Sequence, residues 1–481
     1  MRATLPEKGR DQQEVLEALS AFGSEDPDYR KLRTWSLVYY LGEEHTRFLQ
    51  QAYARFFSAN GLNPMAFRSL KRLESEVISM TADLMHGDGN VVGTMTSGGT
   101  ESCLLAVKTY RDLARARKPW ILRPEMVIPE TAHVAWEKGA KYFDVKPVHA
   151  PLDSEHRVDV RAVRKLVGLS TVMILGSAPE YPHGIVDPIT GLSEIALEKK
   201  IPLHVDACVG GYLLPFVEKL GHEVPPWDFR LPGVSSISAD VHKYGYAAKG
   251  ASAILYRSMD NLEHQMFVHT DWPGGIFASA AMLGTRPGGA VAAAWAAMQT
   301  LGHDGYMAQA EKVMRATHLI IDGVSSIPEL EIIGRPHMCL LSYRSRSPGL
   351  NIFAVGDQME KKGWHIDRLQ KPDALHAMVT PLHADVVDEY LADLRSSVET
   401  VKADPELATR GGAAMYGMIS HVPLRGMIRK AVLKMMTDMY GPDVKIPDGE
   451  GMDLGDDWAG RLAGRAGAYY LRLVEKVRGL R

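Results

Sequence analysis

The sequence predicts an α/β chain, with a large, mostly parallel sheet followed by a smaller α/β domain. Three observations carry this. From about residue 61 to 315, short β-rich runs alternate with longer amphipathic helical stretches. Glycine and proline punctuation near 322–328 then precedes a second set of strand and helix patterns. With 481 residues, 46% of them hydrophobic, the chain can bury a large core and exceeds one typical domain.

Residues 1–60 read as a polar helical arm, in which GEEHTRFLQQAYARFF carries apolar positions at helical spacing. In the large domain, 61–315, five runs read as strands: VVGTMTS from 91, EMVIP from 125, VMILGSA from 172, PLHVDA from 202 and SAILY from 252. ESCLLAVKTYRDLARAR and GLSEIALEKK supply helical crossovers, so ligands belong at the carboxyl ends of the strands. In the small domain and its tail, 316–481, LEIIG, MCLLSYRS, NIFAV and HAMVTP read as strands. VGDQMEKKG and ADVVDEYLADLRSSVETV read as helices, followed by RGMIRKAVLKMMTDMY and a final polar helix.

Composition excludes several classes of partner. A net charge of -3 with 23% charged residues gives no electrostatic case for nucleic acid. Cys103, Cys208 and Cys339 lie far apart, without CxxC or Cys/His zinc spacing, which suggests a reducing compartment and no disulfide framework. The first residues carry no apolar signal core, and AVAAAWAAM from Ala290 falls short of the about eighteen residues of a span. A cytoplasmic chain with no integral membrane segment is expected.

Candidate chemistry comes from four turns. Gly98-Gly99-Thr100-Glu101 follows VVGTMTS and opens a helix, where backbone N–H groups and the helix dipole suit an anion. No GxxxxGK[ST] or dinucleotide fingerprint competes with it. His133 falls in the loop after EMVIP, either as a helix-start histidine or as a flat imidazole stacked on a planar cofactor. Asp206 ends an apolar strand, where an ionised carboxylate needs a cation: a structural arginine, a metal or a pyridinium N–H. Metal is disfavoured, since no second carboxylate or histidine clusters at ligand spacing. Lys243, in SISADVHKYGYAAKG, is either a turn lysine or a desolvated amine able to form a Schiff base. Taken together, the four supply a phosphate cradle, a ring stack, a pyridinium partner and an amine. That set is what pyridoxal 5'-phosphate requires.

TSGGTES, HVDACVGGYL, SISADVHKYGYAAKG and TDWPGGIFASAAMLGTRPGG resemble the motifs of the sphingosine-1-phosphate lyase family, within the group II pyridoxal-phosphate decarboxylase superfamily. The resemblance runs from about Asp26 to Pro442 and takes in GLNPMAFRSLKRLESEV, PEYPHGIVDP and MYGM. It implies a fold-type I homodimer, aspartate aminotransferase-like, with active sites shared between subunits. It makes Lys243 the Schiff-base lysine, Asp206 the pyridine-nitrogen partner and His133 the stacking residue. Gly99, Thr100 and His242 would hold the cofactor phosphate, with Gly284 and Thr285 reaching in from the other subunit. Tyr39 matches the family's active-site tyrosine, and Lys249 is a candidate for the substrate phosphate or a plain rim lysine.

The implied reaction is retro-aldol cleavage of a phosphorylated long-chain amino alcohol to a fatty aldehyde and phosphoethanolamine. Lys243, His242 or a water-linked group would take the β-hydroxyl proton. Three departures bear on the substrate. Asn63 replaces a histidine of the family's NPLHP, and Ala248 replaces the proline of YAPKG. Trp35-Ser36-Leu37-Val38-Tyr39 stands where the family reads SGAVY, so Trp35 and Leu37 are expected to narrow the entrance. Two alternatives remain at this point: an amino-acid decarboxylase on the same scaffold, and a non-catalytic binding protein.

Overall fold

A computed structural model describes residues 4–24, 26–421 and 425–442. Its seven-stranded sheet comprises β1 (Val92–Thr96), β2 (Glu125–Pro129), β3 (Lys146–Ala150), β4 (Thr171–Ser177), β5 (Leu203–Asp206), β6 (Val234–Ala239) and β7 (Ser252–Tyr256). They lie in the order β1-β7-β6-β5-β4-β2-β3. Only β7 runs antiparallel to its neighbours, β1 and β6. β4 and β5 are buried along their whole length because helices cover both sheet faces, as their continuous apolar runs require.

β3 and β6 escape the pattern of apolar runs. KPVHA is half exposed at the sheet edge. VSSISA is serine-rich, yet its serines are internal hydrogen-bond partners: Ser236 takes Tyr110 Oη at 2.5 Å and His204 Nδ1 at 2.7 Å.

After a β8–β9 hairpin (Phe267–His269 and Phe277–Ser279), a smaller antiparallel sheet follows. It is built from β10 (Leu330–Ile332), β11 (Leu340–Ser345), β12 (Asp367–Leu369) and β13 (Ala374–Met378), in the order β10-β11-β13-β12. NIFAV is not a strand but the start of the helix Ile352–Lys361. Asn351 decides it: its side chain accepts from the N–H groups of Phe353 and Ala354, a cap that overrides the β-branched run. The final polar helix expected of the tail lies outside the described residues.

The arm supplies α1 (Gln12–Gly23) and α2 (Glu43–Arg55), followed by α3 (Arg68–Leu84). α2 packs on the long helix Gly288–Ser325, where a Cβ on Gly289 would meet the Tyr53 ring at 2.4 Å. Trp35 does not line the entrance. Its backbone joins the small sheet (Trp35 N–H to His365 O, Met378 N–H to Trp35 O), and its fully buried ring stacks 4.5 Å from His383. A large aromatic flanked by backbone bonds to a sheet is an anchor here, not a gate. Among the described residues, no helix is long and apolar enough to cross a membrane.

Candidate active site

A cleft of about 500 Å³ opens at the carboxyl ends of β1, β2, β4, β5 and β6. It is lined by Tyr39, Gly99, Thr100, His133, Asp206, His242, Lys243 and Lys249, eight of the ten residues singled out from sequence.

At its floor, β1 turns into α4 (Gly99–Arg117) through Ser97-Gly98. No side chain caps α4, so its first N–H groups remain free for an anion. Glu101 braces the turn: one carboxylate oxygen accepts from Ser97 N–H (2.7 Å) and Oγ (2.6 Å), the other from Met282 N–H (2.8 Å). Position 99 admits only glycine, because a Cβ would sit 2.6 Å from Asp240 Oδ2 and 2.9 Å from Cys208 Sγ. His242 forms the wall beside Gly98. Its Nδ1 accepts from Ala251 N–H at 3.1 Å, and burial pulls its pKa down to about 4, so the ring is neutral with Nε2 as donor.

His133 follows β2 and presents an exposed ring, oriented by Ala135 N–H donating to Nδ1 at 3.2 Å. Asp206 ends β5 and is buried. Burial alone would raise its pKa, but Trp136 Nε1–H (2.9 Å), the nearby His133 and Cys208 N–H (3.1 Å) outweigh it and hold the carboxyl below its ordinary value. An ionised carboxylate therefore faces the cleft. His204 shares its strand face but is engaged by Ser236 and Ser238 and pulled down to about 4 by burial.

Lys243 closes the opposite side, its Nζ 2.9 Å from Asp240 Oδ2. Burial acts to lower its pKa, yet Asp240, with Tyr39 and Cys208 behind it, holds the ammonium well above its usual value. Lys249 Nζ donates to Leu37 O at 2.8 Å and lies 4.7 Å over the Tyr39 ring. Burial, then Lys243, bring its pKa down to about 8. Among the described residues no carboxylate pairs with it.

Gly284 and Thr285 are exposed and do not line this cleft. Their segment is tied to the arm by Asn60 Nδ2–H to Thr285 Oγ1 (3.2 Å) and by Gly61 N–H to Arg286 O (2.9 Å). Asn63 is a turn residue, its Oδ1 accepting from Met65 and Ala66 N–H.

Three cleft groups, Asp240, Cys103 and Tyr181, were not singled out from sequence, nor was Trp136, which is buried behind Asp206. Only Asp240 carried a signal, a carboxylate closing the same apolar run that leads to Lys243. Trp136, Cys103 and Tyr181 reach the site from separate elements, and Tyr181 Oη is fixed by Asp367 of β12 at 3.0 Å.

Comparison with known proteins adds four findings. Residues 58–346 match the family described as the pyridoxal-dependent decarboxylase conserved domain. The chain is 46% identical over 403 residues to a sphingosine-1-phosphate lyase of Arabidopsis thaliana, covering 83% of this chain and 74% of that protein. It superposes on the structure of Burkholderia pseudomallei sphingosine-1-phosphate lyase with a TM-score of 0.82 at 38% identity, over 91% of this chain and 97% of that one. A glutamate decarboxylase of Lactobacillus brevis, at 21% identity and TM-score 0.73, shares the fold.

Proposed function

The chain belongs to the pyridoxal-dependent decarboxylase family, and from that premise we propose that it is a carbon–carbon lyase acting on a phosphorylated long-chain amino alcohol of the sphingosine-1-phosphate type. The observation that carries the substrate class is Lys249, a cation without a carboxylate partner among the described residues, placed in the cleft near Lys243. A substrate phosphate supplies its missing counter-charge. A decarboxylase needs instead a subsite for the carboxylate it removes, and the glutamate decarboxylase likeness supports the shared fold alone.

The residues fit pyridoxal phosphate on their own chemistry: an uncapped helix start, an ionised buried Asp206 that forms no salt bridge among the described residues, and an amine in the same cleft. When bound, that cofactor supplies an electron sink for the pair released from a bond at the substrate's Cα. The N–H groups at Gly99 and Thr100 with His242 Nε2–H would hold its phosphate, and His133 would stack on its ring. Asp206 would hold a proton on the ring nitrogen, and Lys243 would provide the amine. Tyr39 and Lys249 orient the substrate so that the Cα–Cβ bond is the one that breaks. The Lys243 amine would take the β-hydroxyl proton, because His242, with Nδ1 accepting from Ala251 N–H and Nε2–H given to the phosphate, has no lone pair free for it. Products are a long-chain aldehyde and phosphoethanolamine.

A panel of long-chain amino alcohols with and without the phosphate tests the substrate class. Aldehyde release only from the phosphorylated members is expected; equal release from both would remove Lys249 from its role.

The pH dependence is specific. Lys249 is a cation below about 8 and neutral above it. KM for a phosphorylated substrate should therefore rise as pH passes upward through that region, and Lys249→Met should start from a high KM and lose this inflection. An inflection that persists in the variant belongs to another group.

The working form is a homodimer in a reducing, cytoplasmic setting, a reading supported by three unbridged thiols and by the exposed apolar side chains of Phe267, Trp272, Ile276, Met282 and Leu283 around the hairpin. Gly284 and Thr285 lie in that same stretch and would complete the partner's phosphate site. Activity should vanish on dilution to monomer; a fully active monomer would rule out shared sites.

A further inference from the structure

We propose that Cys103, Asp206 and Cys208 form a site for a thiophilic divalent cation of the zinc class, open in the cofactor-free chain and closed by the cofactor. Three donors from two elements meet beneath the cleft: Cys103 one turn into α4, Asp206 at the end of β5, and Cys208 two residues on. Their donor atoms all lie within 4.8 Å of one another, with Cys103 Sγ 3.9 Å from Asp206 Oδ2.

Tetrahedral zinc with about 2.3 Å bonds to sulfur and about 2.0 Å to oxygen would place sulfur about 3.8 Å from sulfur and about 3.5 Å from oxygen. Side-chain torsions therefore need to close the cluster by at most about 1.3 Å, and the adjoining cleft offers a fourth position for water.

The chemistry selects the ion. Two sulfurs and one carboxylate oxygen suit zinc or cadmium and disfavour magnesium or calcium, which take oxygen donors. Burial holds the Cys103 thiol, and the hydrogen bond with Cys103 followed by burial the Cys208 thiol, above its ordinary pKa, so both are poor nucleophiles toward electrophiles that bring no charge. A divalent cation brings that charge and satisfies the ionised Asp206, which forms no salt bridge among the described residues. On binding, each thiol passes its proton to solvent and each sulfur donates a lone pair to the cation. Spacing in the sequence hides the site because residue 103 stands far from 206 and 208.

Exclusion of the cofactor rests on the role proposed above for Asp206: a protonated ring nitrogen and a divalent cation cannot share one carboxylate, since like charges repel at contact. The cation would then hold the chain reversibly in its cofactor-free form.

The test uses the full chain, stripped of cofactor and titrated with cadmium while the ultraviolet thiolate-to-cadmium absorption is followed. Saturation at one cation per chain is expected, with Cys339→Ala unchanged and Cys103→Ala weakened beyond the about 10–100-fold that outer-shell losses cost. Circular dichroism of Cys103→Ala and Cys103→Ser separates lost binding from lost fold. No absorption in the wild-type chain, or full absorption in folded Cys103→Ala, overturns the site. Pyridoxal phosphate added first should abolish the signal; tight cadmium binding to the cofactor-loaded chain would leave the site standing and refute the assigned role of Asp206.

Discussion

Replacing Asp206 by Asn is expected to leave a folded chain that still takes up pyridoxal phosphate but turns over about a thousand times more slowly. The substitution is nearly isosteric, but Trp136 Nε1–H donates to Oδ2 and Cys208 N–H to Oδ1, so the single amide oxygen keeps one of these two bonds. What also disappears is the charge. A carboxylate about 4 Å from a positive ring nitrogen contributes about 4 kcal/mol at an effective dielectric of 20, which is about three orders of magnitude in rate if it acts fully in the transition state. The loss belongs in kcat, with KM little changed, because the ring nitrogen does not touch the substrate's phosphate or chain. Near-normal kcat in Asp206→Asn would remove Asp206 from its proposed role.

Lys243→Ala should have two separable effects. The first is chemical: no amine remains to bind the cofactor covalently, so borohydride should fix none of it to the chain. Turnover should fall by at least the about 10²–10⁴-fold attached to a positioned proton-transfer group. The second effect is on stability. Asp240 is almost fully buried and, among the described residues, loses its only ion-pair partner at hydrogen-bonding distance, while its Oδ1 has no hydrogen-bond partner there. Breaking such a pair costs about 3–5 kcal/mol, and the low end applies because Lys243 is itself 24% exposed. Denaturant unfolding of the cofactor-free chain reads this without any activity assay. Adding Asp240→Asn to Lys243→Ala should recover most of the loss, since no buried charge is then stranded. If the double variant is no more stable than the single one, the pair is not what holds this turn.

Much of the site could be read before any coordinates. Gly99, His133, Asp206 and Lys243 each end or follow an apolar run, and a run that ends in a chemical group is a local signal. The reading failed where a side chain's meaning depends on distant partners. The serine-rich run of β6 was not among the five predicted strands, yet its serines hold His204 and Tyr110 inside the sheet. Asn351 redirected a β-branched run into a helix through two hydrogen bonds. Trp35, expected at the entrance, is consumed in joining the arm to the small sheet. Leu37, by contrast, does line the cleft and is largely exposed, so it is the arm residue left to shape the substrate channel. Thr285 illustrates a different limit: its proposed partner belongs to a second subunit, which no single chain displays.

The most direct test is to give the cofactor-loaded protein a phosphorylated long-chain amino alcohol and, separately, glutamate, aspartate and aromatic amino acids, and to quantify aldehyde and carbon dioxide from each. The account predicts long-chain aldehyde and phosphoethanolamine in equal amounts from the first and no carbon dioxide from the others. Carbon dioxide released from an amino acid, with no aldehyde from the phosphorylated substrate, would contradict it.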